Sequence, residues 1–338
     1  MGRQIGEAAG DEIRGFCEIA LERVNQTMCV SRATAIDLAA QCIPLAESYS
    51  PDMVEELRGT AESAKVSLED LMLLQVRNQL QDDSAKGGCT SLALGAERVA
   101  RAGSIVAQNW DNDPALDEFT VVLTRRPAGK PALLTLTQAG LIAYIGFNDA
   151  GIAACLNTLP APARKLGVPH YFTLRGIYEA TSLDTAIAAV DRAERAIPAN
   201  IMLSTPEGPA DLEITIDNIH VLRNPELDGV THTNHCLHPE LIAINDDFPE
   251  LIQSQPRKRR IDTLLGLDNG GRPTVDDVQA ALSDHDDYPL SICRHPNDDP
   301  QTGFWQTVFS VVIEPQAHRM HVSRGTPCNR PYETYQLQ

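Results

Sequence analysis

The chain is short of positive charge, of closely spaced cysteines and of long apolar runs, and each shortage excludes a class of protein. Lys and Arg number 28 against 46 Asp and Glu in 338 residues, a formal net charge of −18, so the molecule's own field repels phosphate backbones and anionic lipid. Nucleic acid and membrane surfaces are therefore not expected as partners. The longest stretch without a charge, 131–148, is interrupted by Thr135, Thr137, Gln138 and Gly140 and alternates in polarity, unlike a membrane span. Residues 1–10 carry Arg3 and Glu7 and no apolar leader core, so a cytoplasmic location is expected. The eight cysteines (17, 29, 42, 89, 155, 236, 293 and 328) stand singly, with no short-range pair, and read as reduced thiols instead of a disulfide framework. There is no internal repeat and no low-complexity linker, so 1–338 reads as one domain.

What is present is a globular composition, 43% hydrophobic and 22% charged, with two periodicities. The first eighty residues are helical in pattern: apolar positions recur at three and four in Ile13, Phe16, Cys17, Ala20 and Val24, and again over 33–45. Ser67 and Asp70 form a capping-box pattern opening a helix over 68–80. From Cys89 the period shortens to that of strands, at 104–110, 119–125, 132–137, 141–147 and 152–158. Gly146 and Gly151 bracket Asn148-Asp149-Ala150 and suit a tight turn that brings Asn157 back across a sheet. Helices are predicted at 172–180, 183–193, 250–265 and 275–282, and further strands at 201–204, 211–216, 220–223, 305–313 and 318–323. Blocks of strands alternating with blocks of helices predict an α+β fold with antiparallel sheets, not a doubly wound sheet.

One short segment carries chemistry. Asp83-Ser84-Ala85-Lys86-Gly87-Gly88-Cys89-Thr90-Ser91 lies where helix pattern gives way to strand pattern. The glycines leave the Gly88 carbonyl open to approach, and a thiol one bond downstream can attack it through a five-membered ring, moving Gly88 from nitrogen to sulfur. Hydrolysis then frees Cys89 as an N-terminus that holds nucleophile and base in one residue, with an α-amine near pKa ~7.7–8.0 beside a thiol near ~8.5. The alternative is a glycine-rich turn followed by a small buried cysteine.

Five segments taken in order resemble the acyl-coenzyme A:6-aminopenicillanic acid acyltransferase (penicillin acyltransferase) family of N-terminal nucleophile (Ntn) hydrolases. They are Gly87-Gly88-Cys89-Thr90-Ser91, Gln108-Asn109-Trp110-Asp111, the run from Gly146 to Gly151 leading into Leu156-Asn157, Thr231-His232-Thr233-Asn234-His235, and Ser323-Arg324-Gly325-Thr326-Pro327-Cys328-Asn329. The resemblance implies a four-layer αββα sandwich and self-cleavage between Gly88 and Cys89. That cut would leave 1–88 as a helical propeptide or small subunit, associated with a large subunit 89–338. By the same resemblance Cys89 is the nucleophile and Asp111 the carboxylate that orients its amine. Asn234 is then an oxyanion-hole donor, Asn157 supplies a backbone N–H to that hole, and Arg294, in Ser291-Ile292-Cys293-Arg294-His295, stands near the nucleophile. The implied substrate is a small-molecule amide or acyl compound; for want of a convincing coenzyme A site hydrolysis is favoured over transfer, no cofactor and no metal are expected, and homo-oligomerisation is left open.

Two other signals weigh less. His232, His235 and His238 flank Cys236 and invite a zinc-dependent hydrolase reading, but no C-x-x-C or H-E-x-x-H spacing accompanies them. Arg257-Lys258-Arg259-Arg260 could meet coenzyme A phosphates, yet reads more simply as a solvated helix face preceding Ile261, Leu264 and Leu265. A non-catalytic binding protein on the same fold is the remaining alternative.

Overall fold

The computed structural model describes residues 1–26, 28–80, 88–101, 103–247, 253–300 and 302–338. Five helices come first: α1 (Gly2–Ala8), α2 (Gly10–Val24), α3 (Arg32–Tyr49), α4 (Pro51–Ala64) and α5 (Leu68–Leu80). The last has the predicted bounds because the predicted cap forms: the Asp70 amide donates to Ser67 Oγ at 3.0 Å and that hydroxyl donates to Asp70 Oδ2 at 2.7 Å. Strands β1 (Gly88–Leu94), β2 (Ile105–Asn112), β3 (Thr120–Arg125), β4 (Leu133–Gln138), β5 (Ile145–Asn148) and β6 (Ala153–Asn157) follow. Then come α6 (His170–Tyr178), α7 (Leu183–Asp191), β7 (Ala199–Thr205), β8 (Gly208–Ile214), β9 (Ile219–Leu222) and β10 (Gly229–His232). The chain continues through α8 (Ile244–Asp247), α9 (Ser254–Leu264), α10 (Val275–Leu282), β11 (Gln306–Glu314), β12 (Arg319–Arg324) and β13 (Tyr332–Gln336). The first residues of the helix expected over 250–265 lie outside the described residues, as do 83–87 upstream of the cysteine.

The strands form two wholly antiparallel sheets, one ordered β10-β1-β2-β11-β12-β13 and the other β3 to β9 in sequence order. Side-chain alternation divides the first sheet between two cores. Cys89, Ala93, Val106 and Trp110 belong to the large core shared with the second sheet, α5 and α6. Leu92, Leu94, Ile105 and Ala107 belong to a separate core with Ile261 and Leu265 of the α9 segment and Val278 and Leu282 of α10. Helix, sheet, sheet, helix is therefore the layer order, an α+β sandwich. Three strands fall outside the predicted ranges: β1, β10 and β13. β10 is four residues long, and β13 is a largely exposed edge strand with charged and polar positions.

The front helices are tied to the sheets by polar as well as apolar contacts. Glu56 on α4 is buried and receives Arg125 Nε at 2.9 Å and Arg175 Nη1 at 3.0 Å. Gln75 on α5 donates to the Gly140 carbonyl at 2.9 Å and accepts from the Ile142 amide at 3.1 Å.

Candidate active site

Cys89 is the second residue of β1, which lies one strand in from the edge of the first sheet between β10 and β2, and is 2% exposed. Gly88 already lies in the strand and pairs with Asp111, while Cys89 pairs with Trp110. By alternation the Cys89 side chain faces the second sheet and Asp111 faces the α9/α10 layer, so the carboxylate approaches the nucleophile from the side of its backbone nitrogen. That nitrogen donates to Asn234 Oδ1 at 2.9 Å. Asn234 Nδ2 donates to the Thr158 carbonyl at 3.1 Å and to Thr158 Oγ1 at 2.9 Å, and the Asn234 amide is held by Ser254 Oγ at 2.7 Å. The side chain is thereby fixed at both ends. It meets Cys89 through its oxygen, and its NH₂ is occupied by Thr158.

Asp111 is fully buried. Its Oδ1 accepts from Thr307 Oγ1 at 2.7 Å, and that hydroxyl in turn accepts the Arg294 amide at 2.9 Å. Oδ2 has no hydrogen-bond partner among the described residues. Burial pushes the carboxyl above the usual range, opposed by Arg257, Arg294 and the Thr307 bond. Arg294 is 1% exposed, and its Nε and Nη1 make no hydrogen bond among the described residues, so it acts on Asp111 through space.

Asn157 ends β6, but its side chain is a structural tie. Oδ1 accepts Gln108 Nε2 at 2.8 Å, and Nδ2 donates to the Thr233 carbonyl at 2.8 Å. The next residue, Thr158, makes a backbone hydrogen bond with the Cys89 thiol.

The residue missed by sequence reasoning is Arg257. Expected on a solvated face, it is 2% exposed and reaches into the site. Nη1 donates to the Cys89 carbonyl at 2.6 Å and to Thr90 Oγ1 at 2.8 Å, and Nη2 donates to Asn234 Oδ1 at 2.9 Å. A signal was there: Arg257 lies four residues before Ile261 and eight before Leu265, on the stripe that α9 buries. Burial above all, and then Asp111, push the Cys89 thiol up in this chain; Arg257 is the cation that opposes them.

The three histidines do not converge, which corrects the zinc reading. His232 is fully buried, with Nε2 at 2.9 Å from Glu213 Oε1 and Nδ1 at 2.9 Å from the Thr233 carbonyl. His235 Nδ1 meets Ser254 Oγ at 2.6 Å, while the His238 ring lies tilted against that of His220, centroids 4.4 Å apart. Among the described residues only His238 of the three belongs to a potential donor group, with His220 and Glu240.

Residues 99–329 match the profile of the acyl-coenzyme A:6-aminopenicillanic acid acyl-transferase family. The chain belongs to this family. The matched region includes Asp111, Asn157, Asn234, Arg257 and Arg294 but begins after Cys89. The chain is also 28% identical, over 99% of its length and 92% of the relative's, to the 40 kDa form of acyl-coenzyme A:6-aminopenicillanic-acid-acyltransferase from Emericella nidulans. A mutant conjugated bile acid hydrolase from Clostridium perfringens superposes over 74% of this chain and 97% of its own, with TM-score 0.51 and 11% identity. A second variant of that hydrolase gives TM-score 0.50 at 11% identity over the same shares. The likeness is one of fold, that of an Ntn hydrolase. Among the described residues no helix is long and apolar enough to cross a membrane.

Proposed function

We propose that this family member is a self-processing cysteine amidohydrolase in which Cys89, freed by cleavage after Gly88, forms an acyl-thioester with a small amide substrate. The observation that carries the reading is the hold on the Cys89 main chain. Its nitrogen is on Asn234 Oδ1 at 2.9 Å and its carbonyl under Arg257 at 2.6 Å, with a buried carboxylate opposite Gly88 on the ladder. A cysteine that is merely packed needs no such grip on its backbone.

In the processing step Sγ attacks the Gly88 carbonyl, the C–N bond breaks, and the nitrogen keeps the thiol proton as a free amine. Water then cleaves the thioester, leaving a Gly88 carboxylate and Cys89 at the head of 89–338. In turnover the α-amine takes the thiol proton, Sγ attacks the substrate carbonyl, the leaving amine is protonated from Cys89, and water resolves the acyl-enzyme. Asp111, whose buried Oδ2 has no partner among the described residues, would hold the protonated amine, while Arg257, Arg294 and the Thr307 bond oppose the upward push of burial on that carboxyl. Asn234 positions the amine through Oδ1 while its NH₂ is taken up by Thr158, and the Thr158 backbone, which already bonds the Cys89 thiol, is the donor next to a developing oxyanion. The two fragments stay together through Glu56 with Arg125 and Arg175, and through the core they share.

Hydrolysis is favoured over transfer from coenzyme A because the basic run is already committed. Arg257 is inside the site, Lys258 pairs with Asp262 at 2.5 Å and Arg260 with Asp284 at 2.7 Å, which leaves only Arg259 of the four exposed. The test is a panel of N-acyl amino acids, β-alanyl amines and penicillins, with and without an amine acceptor, followed by mass spectrometry of the large fragment. An acyl adduct on Cys89 that decays to free acid is expected. Decay only to the acceptor's amide would overturn the preference for water, and adducts only on other cysteines would overturn the assignment.

A further inference from the structure

Four side chains from two loops on the far side of Arg294 meet at one point. His285, Cys293 and His295 lie on the segment between α10 and β11, and Cys328 on the turn between β12 and β13; one ring nitrogen of each histidine and both Sγ atoms lie within 4.8 Å of one another. His295 Nε2 is 3.0 Å from His285 Nε2, 3.6 Å from Cys293 Sγ and 3.6 Å from Cys328 Sγ. One imidazole nitrogen carries either one hydrogen or one lone pair, so it can serve only one of these three neighbours with a straight hydrogen bond. A cation at the centre would serve all four at once.

We propose that His285, Cys293, His295 and Cys328 form a structural Cys₂His₂ site for a zinc-type divalent metal. With metal–sulfur bonds of about 2.3 Å and metal–nitrogen bonds of about 2.0–2.1 Å, a tetrahedral ion places sulfur and nitrogen about 3.6 Å apart and two nitrogens about 3.3 Å apart. The two sulfur–nitrogen edges fit, and the nitrogen–nitrogen edge needs to open by a few tenths of an ångström. Both loops are already held by backbone bonds. The Cys293 amide donates to Asp284 O at 3.0 Å, the His295 amide to Pro289 O at 3.0 Å, and the Gly325 amide to Val308 O at 2.8 Å, so binding requires little ordering.

Four protein ligands leave no open position, which makes the site structural and not catalytic. Binding one divalent ion as two thiolates and two neutral imidazoles releases two protons to solvent. Its consequence is positional: Arg294 lies between two of the ligands, and the metal would pin the backbone that aims its guanidinium toward Asp111. The ligands are 285, 293, 295 and 328, a spacing that no zinc motif announces in the sequence.

The probe is cobalt(II), titrated into the full-length protein reduced with a non-chelating phosphine, with zinc content measured on protein as purified. Expected are one zinc per chain and, on cobalt substitution, the intense visible bands and near-ultraviolet thiolate charge-transfer band of a tetrahedral dithiolate. Cys328→Ser and His285→Asn change exposed ligands, so folding should survive, and Cys328→Ser should weaken binding by more than about 100-fold, since losing even an outer partner of a ligand costs 10–100-fold. Cys29→Ser, at an exposed cysteine elsewhere, should change nothing. The proposal is overturned if the reduced wild-type protein shows no thiolate–cobalt band. It also fails if Cys328→Ser keeps the band, or if freshly purified protein carries a Cys293–Cys328 disulfide in place of metal.

Discussion

Replacing Arg257 by Met keeps a long stem in the buried channel while removing three hydrogen bonds, to the Cys89 carbonyl, Thr90 Oγ1 and Asn234 Oδ1. A hydrogen bond to a charged group contributes roughly 1.5–3 kcal/mol, and the three share one guanidinium and do not add. Taking about 2–3 kcal/mol as the loss felt at the reacting backbone gives roughly 30- to 160-fold slower processing. The electrostatics push the same way, because Arg257 lowers both the Cys89 thiol and the Asp111 carboxyl, and each would rise without it. Arg257→Lys retains the charge but not the planar fork, and should fall between. The assay follows the fraction of chain cut after Gly88 with time. Urea unfolding of Arg257→Met in a Cys89→Ala background separates chemistry from folding. A variant of wild-type stability that cuts within about threefold of the wild-type rate, a difference below 1 kcal/mol, would refute the reasoning.

Three further outcomes follow from the same contacts. Thr307→Val removes the bond that holds Asp111 down, so the acid limb of the turnover profile should move to higher pH with about a tenfold loss of rate at neutral pH; an unmoved limb would exclude Asp111 as its source. Glu56→Gln leaves Arg125 buried without its carboxylate and Arg175 with Glu179 alone, and should lower the urea midpoint by the equivalent of roughly 3–5 kcal/mol and loosen 1–88 from 89–338. His235 is pushed down to about 4, first by burial and then by His232, Lys258 and Arg257. Its folded value thus lies below the unfolded ~6.5, so the stability it contributes is present above about pH 6.5 and lost as pH falls through about 4. After discounting for its partial exposure this amounts to about 2 kcal/mol, and His235→Gln should flatten the acid slope in that window.

The layer order and most elements were legible because period-2 and period-3.6 patterns are written in apolar residues, as in α5 and β4. β10 escaped because four residues give too few positions for alternation, and β13 because an exposed edge strand has no apolar face to announce. Cys89, Asp111 and Asn234 were legible through the glycines and the ordered segments, and the structure brings all three to one end of β1. Arg257 was not, since four consecutive basic residues look uniformly solvated although a helix turns only one of them inward. The His285–Cys328 cluster was illegible for a different reason: its ligands come from separate loops, and only tertiary structure creates their proximity.

The central claim is that Cys89 becomes the first residue of its own polypeptide, and the intact mass of freshly expressed wild-type protein beside Cys89→Ala tests it most directly. Two chains, one ending at Gly88 and one beginning at Cys89, are expected for the wild type, and one uncut, inactive chain for the variant. A single uncut 36.8 kDa wild-type chain that turns over amide substrate, or a Cys89→Ala protein that retains activity, would contradict it.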